Sequence, residues 1–252
     1  MTPAGPAIAW RVIRRDTVAS TMSEAAALAS EGAPEGTVVV ARSQTAGRGR
    51  AGRTWIDPGA ALLATVLLRP PLPAAAMTAA PLWMGVAAAE AIEAACPGLR
   101  VWIKWPNDLW LGERNAGRKT GGILVEIKAG GAMLAGFGVN LAFPGEERPD
   151  GAADLRSFGG ETSADELLGF LLDRIARRYT ALVAAGGRLP LDEWLARAAL
   201  LGERVAVVDG GSAAAGRFAG VREDGARRPA EDSGAVRVVG AGELARGPRP
   251  AP

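Results

Sequence analysis

KTGGILVEIKAGGAMLAGFGVNLAF, residues 119–143, contains two apolar runs separated by the turn AGG. Runs of this length and β-branched content, bounded by glycine, read as two strands joined in an antiparallel hairpin. The surrounding segments decide the fold class. Upstream, RVWIKWP (100–106) alternates as a strand and breaks at Pro106, while MTAAPLWMGVAAAEAIEAAC (77–96) has the spacing of a core helix. ALLATVLLRP (61–70) and GTVVVARSQ (36–44) read as short buried strands. VASTMSEAAALAS (18–30) reads as an alanine-rich helix that starts at a Ser/Thr N-cap, with Glu24 in its first turn. Downstream, PGEERPDGAADLRSFGGET (144–162) is a polar loop, followed by helices over 163–186 and 191–202. Strands, helices and hairpins are mixed without strict β-α-β alternation, which predicts an α+β sheet domain and argues against a doubly wound nucleotide fold.

From Glu203 onward the texture changes to short strands, RVAVVD, GRFAGV and AVRVVG, with Gly-, Asp- and Arg-rich loops between them. The expected division is 1–202 and 203–252, the second part a small barrel-like module that leans on the first and ends in a frayed tail, RGPRPAP.

Composition excludes whole classes of chemistry. The chain has no histidine, which removes Ser-His-Asp and Cys-His nucleophiles, histidine bases and histidine metal sites together. Its one cysteine, Cys96, permits neither an internal disulfide nor a thiolate zinc cluster and reads as a core thiol. What remains is Arg, Lys, Asp, Glu, backbone amides and a hard cation. Of 29 basic residues only Lys104, Lys119 and Lys128 are lysines, and two of these fall inside motif-like stretches. A net charge of +2 does not indicate a general nucleic-acid surface. No apolar run reads as a membrane span and the N-terminus lacks a signal-peptide core, so a cytoplasmic protein with no membrane partner is expected.

Three stretches can carry chemistry. QTAGRGRAGRTW (44–55) lies between two strands and matches neither a Walker loop nor a dinucleotide fingerprint, so arginine forks and backbone amides would have to hold any anion there. It reads equally well as a solvated basic turn. IKWPNDLW (103–110) puts Lys104, Asn107 and Asp108 at a strand end, where a lysine and a carboxylate can meet a phosphate and its magnesium; the alternative is an Asx-type turn after proline. Trp102 and Trp105 alternate with Ile103, so one of the two faces could line a pocket. RKTGGILVE (118–126) sets Lys119 before Gly121 and Gly122, which permit close approach to a bound group, while Glu126 reads as structural.

Read together, GRGRAGRTW, KWPNDLWL, KTGGILVE and GFGVNLA, in this order and after an early Ser-Thr pair, resemble the biotin protein ligases over roughly residues 10 to 245. The resemblance implies a class II aminoacyl-tRNA synthetase-like mixed sheet domain with a small C-terminal SH3-like β-barrel. It implies ATP and Mg²⁺ as cofactors, biotin as substrate, and a biotin carboxyl carrier protein domain as partner. Biotin carboxylate would attack the α-phosphate to give biotinyl-5′-AMP, and a carrier lysine would then take the biotinyl group.

By the same resemblance Ser20, Thr21 and Gln44 would bond the ureido ring. Gly47, Arg48, Gly49 and Arg50 would wrap the carboxylate and the adenylate phosphate, and Lys119 would act where charge develops, with Arg48 and Arg50. Gly122, Gly136 and Gly138 would lie along the adenylate, and Trp55 beside the adenine. Arg53, Lys104, Asn107, Asp108 and Asn140 would serve ATP, with Asp108 the carboxylate available to magnesium. Met22 departs from the family's usual Ser-Thr-Asn, and Thr120-Gly121 from its Leu-Ala. Because the Ser-Thr pair arrives at residue 20, no DNA-binding domain and no DNA partner are expected; the assembly would be a monomer or homodimer. A lipoate–protein ligase shares the adenylate logic, although the GRGR-to-KWPND combination disfavours it. An Arg/Gly-loop RNA-binding module is the alternative from another class.

Overall fold

The computed structural model describes residues 8–57, 59–145, 148–209, 212–230 and 243–246. In chain order the first half runs β1 (Arg11–Val18), α1 (Thr21–Ser30), β2 (Thr37–Gln44), β3 (Ala61–Leu68), α2 (Ala80–Ala95), β4 (Trp102–Lys104) and β5 (Asp108–Leu111). Then come β6 (Arg118–Ile127), β7 (Met133–Asn140), α3 (Ala164–Ala184) and α4 (Leu191–Leu195). The chain closes with β8 (Arg204–Asp209), β9 (Ser212–Val221), β10 (Arg227–Ala230) and β11 (Glu243–Arg246).

Seven strands form one sheet in the order β1-β2-β3-β7-β6-β5-β4, with β1 parallel to β2 and the other neighbours antiparallel. The sheet is therefore mixed and the class α+β, as expected. The hairpin at 119–143 is present as β6 and β7, with Gly130 and Gly131 both at positive φ in its turn, a conformation that favours glycine.

Period-2 alternation sorts the strand residues onto two faces. Leu62, Ala64, Val66 and Leu68 of β3 join the large core with α2 and α3. Leu67 of β3, Val39 of β2 and Leu134 of β7 pack instead beneath α1, against Met22 and Ala25. Because β3 is covered on both sides, all eight of its residues are buried, which is why its sequence reads as a continuous apolar run. The short α1 covers only part of its face, and the uncovered part becomes the floor of a cavity.

The structure departs from the sequence reading at several points. Residues 11–18 form an edge strand that periodicity does not reveal, because most of its side chains are exposed and its sequence RVIRRDTV has no apolar face. The strand entering Pro106 is not alone: the chain reverses at 105–107 and returns as β5, with Lys104 and Asp108 opposite each other at the strand ends. The helix expected over 191–202 ends at Leu195, where Arg114 donates to the carbonyls of Leu195 and Ala198, and Ala198 pairs with Ile103 beside β4. Ser20 occupies the N-cap of α1 without a side-chain capping bond. The stretch Ala74–Ala95 is long and apolar enough to cross a membrane by length and composition, contrary to the sequence reading, but 72% of its apolar window is buried in this fold.

The described C-terminal strands form a four-stranded antiparallel sheet, β10-β9-β8-β11. The AVRVVG run (235–240) lies outside the described residues, as does most of the tail. The turn between β9 and β10 rests on the large sheet: Trp105 Nε1 donates to the Gly225 carbonyl at 3.1 Å and Thr78 Oγ1 to that of Asp224 at 2.8 Å. Phe218 meets Trp194 edge-to-face at 6.4 Å, so the two sheets share one core. Cys96 closes α2 as a buried thiol, and burial, then the Glu166 charge, pushes its pKa up.

Candidate active site

The uncovered part of the α1-side face holds Thr65 on β3, Gly136 and Gly138 on β7, and Leu124 and Gly122 on β6 as cross-strand partners. Two of these glycines have a steric reason. A Cβ on Gly138 would stand 2.7 Å from the Trp55 ring, and one on Gly136 would stand 2.8 Å from the Met22 methyl. The sheet thus offers bare backbone against which the Trp55 ring and the Met22 methyl pack, and both side chains wall the cavity. Met22 is buried, so the position departing from the family pattern supplies an apolar wall rather than a hydrogen-bonding group.

At the α1 end a polar relay runs through the wall. Thr65 Oγ1 donates to Thr21 Oγ1 at 2.9 Å, and Gln44 Oε1 accepts from both Thr21 Oγ1 at 3.1 Å and Thr21 N at 2.7 Å. With its oxygen committed, the Gln44 amide nitrogen is the end left to donate elsewhere; its orientation follows from this network. Ser20 lies beside the relay and lines the cavity. Sequence reasoning missed Thr65. The available signal was one hydroxyl inside ALLATVLL, a strand with no exposed residue, where a buried polar group needs a partner.

The glycine-arginine stretch folds as a miniature hairpin. Gly49 N donates to Arg53 O at 2.7 Å, Trp55 N to Gly47 O at 2.9 Å, and Arg48 bridges Thr54. The reversal at its tip uses positive φ at Ala51 and Gly52. Arg48, Gly49, Arg50 and Arg53 line the cavity, and Arg48 Nη2 also meets Glu126 Oε1 at 2.6 Å. Asp57, another residue the sequence did not single out, ties the loop's exit to β2 by accepting from Gln44 N at 3.0 Å.

Opposite the loop, Lys119 Nζ pairs with Asp108 Oδ1 at 2.7 Å and stands 5.8 Å from the Trp55 ring centre. Asn107 also lines the cavity, and its Nδ2 donates to Ile123 O at 2.7 Å, which fixes the β4–β5 turn to β6. Among the described residues Trp55 Nε1 is buried without a hydrogen-bond partner, a donor that costs about 1–3 kcal/mol unless something accepts from it.

Three predicted site residues stay outside the lining. Gly47 closes the loop's base through its carbonyl, Lys104 lies over the Trp110 ring at 5.4 Å, and Asn140 is buried, donating to Ala153 O at 2.9 Å. Of the strand 100–106, one face of which could line a pocket, neither tryptophan lines this cavity. Trp102 lies against the guanidinium groups of Arg100 and Arg114, and Trp105 is buried.

The family model for biotin/lipoate A/B protein ligases matches residues 13–140, from β1 through the end of β7. The chain belongs to the biotin/lipoate A/B protein ligase family. Among curated relatives, the biotin–[acetyl-CoA-carboxylase] ligase of Paracoccus denitrificans is 38% identical over 219 residues, covering 82% of this chain and 89% of that one. The ligase of the same name from Mycobacterium tuberculosis is 30% identical over 250 residues, covering 95% and 91%. The bifunctional ligase/repressor of Bacillus spizizenii is 36% identical over 161 residues, and the chain spans 48% of that relative's length. The solved biotin protein ligase from Aquifex aeolicus, in complex with biotin and ATP, superposes with a TM-score of 0.78 at 26% identity, covering 93% and 97% of the two chains.

Proposed function

We propose that this chain activates biotin with ATP to biotinyl-5′-AMP, releasing pyrophosphate, and transfers the biotinyl group to a lysine of a biotin carboxyl carrier domain. One observation carries the reading: a lysine paired with a carboxylate, Lys119–Asp108, and an arginine hairpin share one cavity whose far end is a polar relay. In the first step two anions must approach, biotin carboxylate and the nucleotide α-phosphate, so the barrier is largely electrostatic. Lys119 and the loop arginines supply fixed positive charge to the carboxylate and to the phosphate oxygens as charge builds. The Gln44–Thr21 relay and Ser20 hold the ureido end, and Met22 borders the apolar part of the substrate.

The described residues contain no group of three or more His, Cys, Asp or Glu placed to hold a metal. Magnesium would come with ATP as the MgATP substrate, and Asp108, which lines the cavity and pairs with Lys119, is the carboxylate that would hold it. In the second step the carrier's amine attacks the acyl carbon of the mixed anhydride and AMP leaves. The loop hairpin covers the adenylate and excludes water, which would otherwise hydrolyse it. We divide the chain at residues 202 and 203 into a catalytic part and a C-terminal module, and place the reaction in the cytoplasm, where ATP is supplied.

Biotin-dependent exchange between ATP and labelled pyrophosphate, followed by biotin transfer to a recombinant carrier domain, tests the proposal. Exchange supported by lipoate and not by biotin would replace it with lipoate activation.

A further inference from the structure

The ladder between β5 and β6 slips by one residue. Asp108 pairs with Gly122 and Leu109 with Gly121, but Trp110 pairs with Lys119 and Leu111 with Arg118, so Thr120 has no residue opposite it on β5. It is the extra residue of a β-bulge. Residues directly opposed in an antiparallel pair share a face of the sheet, and successive residues alternate between faces. Leu109 and Leu111 belong to the large core, whereas Asp108 and Gly122 line the cavity.

In an unbroken ladder Thr120 would stand opposite Trp110, and Lys119 opposite Leu111 on the core face. The bulge brings Lys119 opposite Trp110 instead, and so onto the face that carries Asp108. The lysine side chain takes that direction. Its Nζ meets Asp108 Oδ1 at 2.7 Å, and a Cβ on Gly122 would lie 3.5 Å from both Cε and Nζ. Bare Gly122 is thus the ground over which the lysine reaches the carboxylate. Thr120 itself is fully buried, and among the described residues its hydroxyl has no partner. No hydrogen bond of that hydroxyl holds the bulge; what counts is the number of residues between Lys119 and Gly121.

We propose that Thr120 is a positioning residue that acts by being surplus: the bulge it makes turns Lys119 from the core face to the cavity. The reaction that Lys119 serves rests on the biotin-ligase reading, whereas the face it occupies does not.

Deleting a strand residue ordinarily sends everything before it to the opposite face. Deleting Thr120 should not, because Lys119 then stands opposite Trp110 in an unbroken ladder. Biotin-dependent pyrophosphate exchange should stay within about tenfold of the parent. Inserting a glycine between Thr120 and Gly121 withdraws Lys119 from that place. Exchange should then fall about a hundredfold or more, as for Lys119→Ala, while transfer from synthetic biotinyl-5′-AMP falls by less than about tenfold. Thr120→Val keeps the residue count and should change exchange by less than about threefold. A deletion that behaves as Lys119→Ala, an insertion that keeps exchange, or a Thr120→Val variant that loses it about a hundredfold overturns the proposal.

Where the insertion or deletion abolishes transfer as well, that chain has misfolded and the parent protein decides. Cross-strand nuclear Overhauser contacts between the backbones of Trp110 and Lys119 uphold the bulge; contacts that set Trp110 opposite Thr120 in an unbroken ladder overturn it. Should the parent catalyse no exchange with biotin, the functional reading falls. The same contacts still decide the face of Lys119, together with its acylation by a water-soluble reagent, which a lysine on the core face would resist.

Discussion

Lys119 Nζ sits 2.7 Å from Asp108 Oδ1 and 5.8 Å from the centre of the Trp55 ring, so one ammonium touches two walls of the cavity. A half-exposed lysine whose charge is already balanced is available to transfer its attention to a phosphate without the cost of a buried unpaired ion. Lys119→Ala should lower biotin-dependent pyrophosphate exchange by about a hundredfold to a thousandfold, the range for removing one group that meets developing charge. Transfer from synthetic biotinyl-5′-AMP to the carrier should fall by less than about tenfold, because that step no longer brings two anions together. Equal losses in both assays would remove Lys119 from the adenylation step.

Gly136 and Gly138 face the same cavity yet should respond differently to alanine. At Gly136 the obstructing atom is the far end of a flexible methionine, 2.8 Å away, which can swing aside. At Gly138 the obstruction is the rigid Trp55 ring at 2.7 Å, and the ring carries the end of the arginine hairpin with it. Gly138→Ala should therefore cost about 1–3 kcal/mol by overpacking and raise KM for both substrates, while Gly136→Ala costs less than about 1 kcal/mol. Denaturant midpoints and exchange kinetics on the two variants check the contrast.

Thr65→Val keeps the shape of a fully buried side chain and removes its hydroxyl, so Thr21 loses a donor and Gln44 loses the end of its relay. About 1 kcal/mol of stability should be lost, with an increase in KM for biotin and little change in KM for ATP. A change confined to ATP would mean that the relay does not face biotin.

The glycine-arginine stretch shows what could be read from the chain and what could not. Its glycines and arginines pointed to an anion-holding loop, but its own composition never excluded a solvated turn; its company, KWPND and KTGGILVE, did more. The strands that build the sheet centre were legible because burial on both faces writes continuous apolar runs such as ALLATVLL. Edge strand β1 was not, since exposed side chains leave no periodic signal. Thr65 and Asp57 were hidden for another reason: each acts through a partner, 44 and 13 residues away, and such pairings exist only once the sheet has formed. The same applies to Lys104 and Asn140, whose residue types fit a nucleotide site but which the fold commits to a tryptophan ring and a backbone carbonyl.

The alkaline limb of the stability curve can be assigned to single residues. The chain has one cysteine, one tyrosine and three lysines, so few groups titrate between pH 8 and 11. Burial, aided by the Glu166 charge, raises the Cys96 pKa; burial, aided by the hydrogen bond to Glu35 and by its charge, raises that of Tyr179. Both groups thus keep their protons in the folded protein at pH values where the unfolded chain loses them. Stability from these two sites is complete below the unfolded cysteine value of 9.0 and declines above it, with the tyrosine contribution beginning above 10.0. Each group can add a slope of about 1.4 kcal/mol per pH unit. Urea unfolding at pH 7, 9 and 10.5 should show a flat first interval and a falling second one. Tyr179→Phe should cost about 1 kcal/mol at pH 7 through the lost bond to Glu35, yet flatten the decline above pH 10. Cys96, buried and protonated, should resist alkylation at pH 8 until the protein is unfolded; prompt modification of the native protein at that pH would mean that the α2 terminus opens without global unfolding.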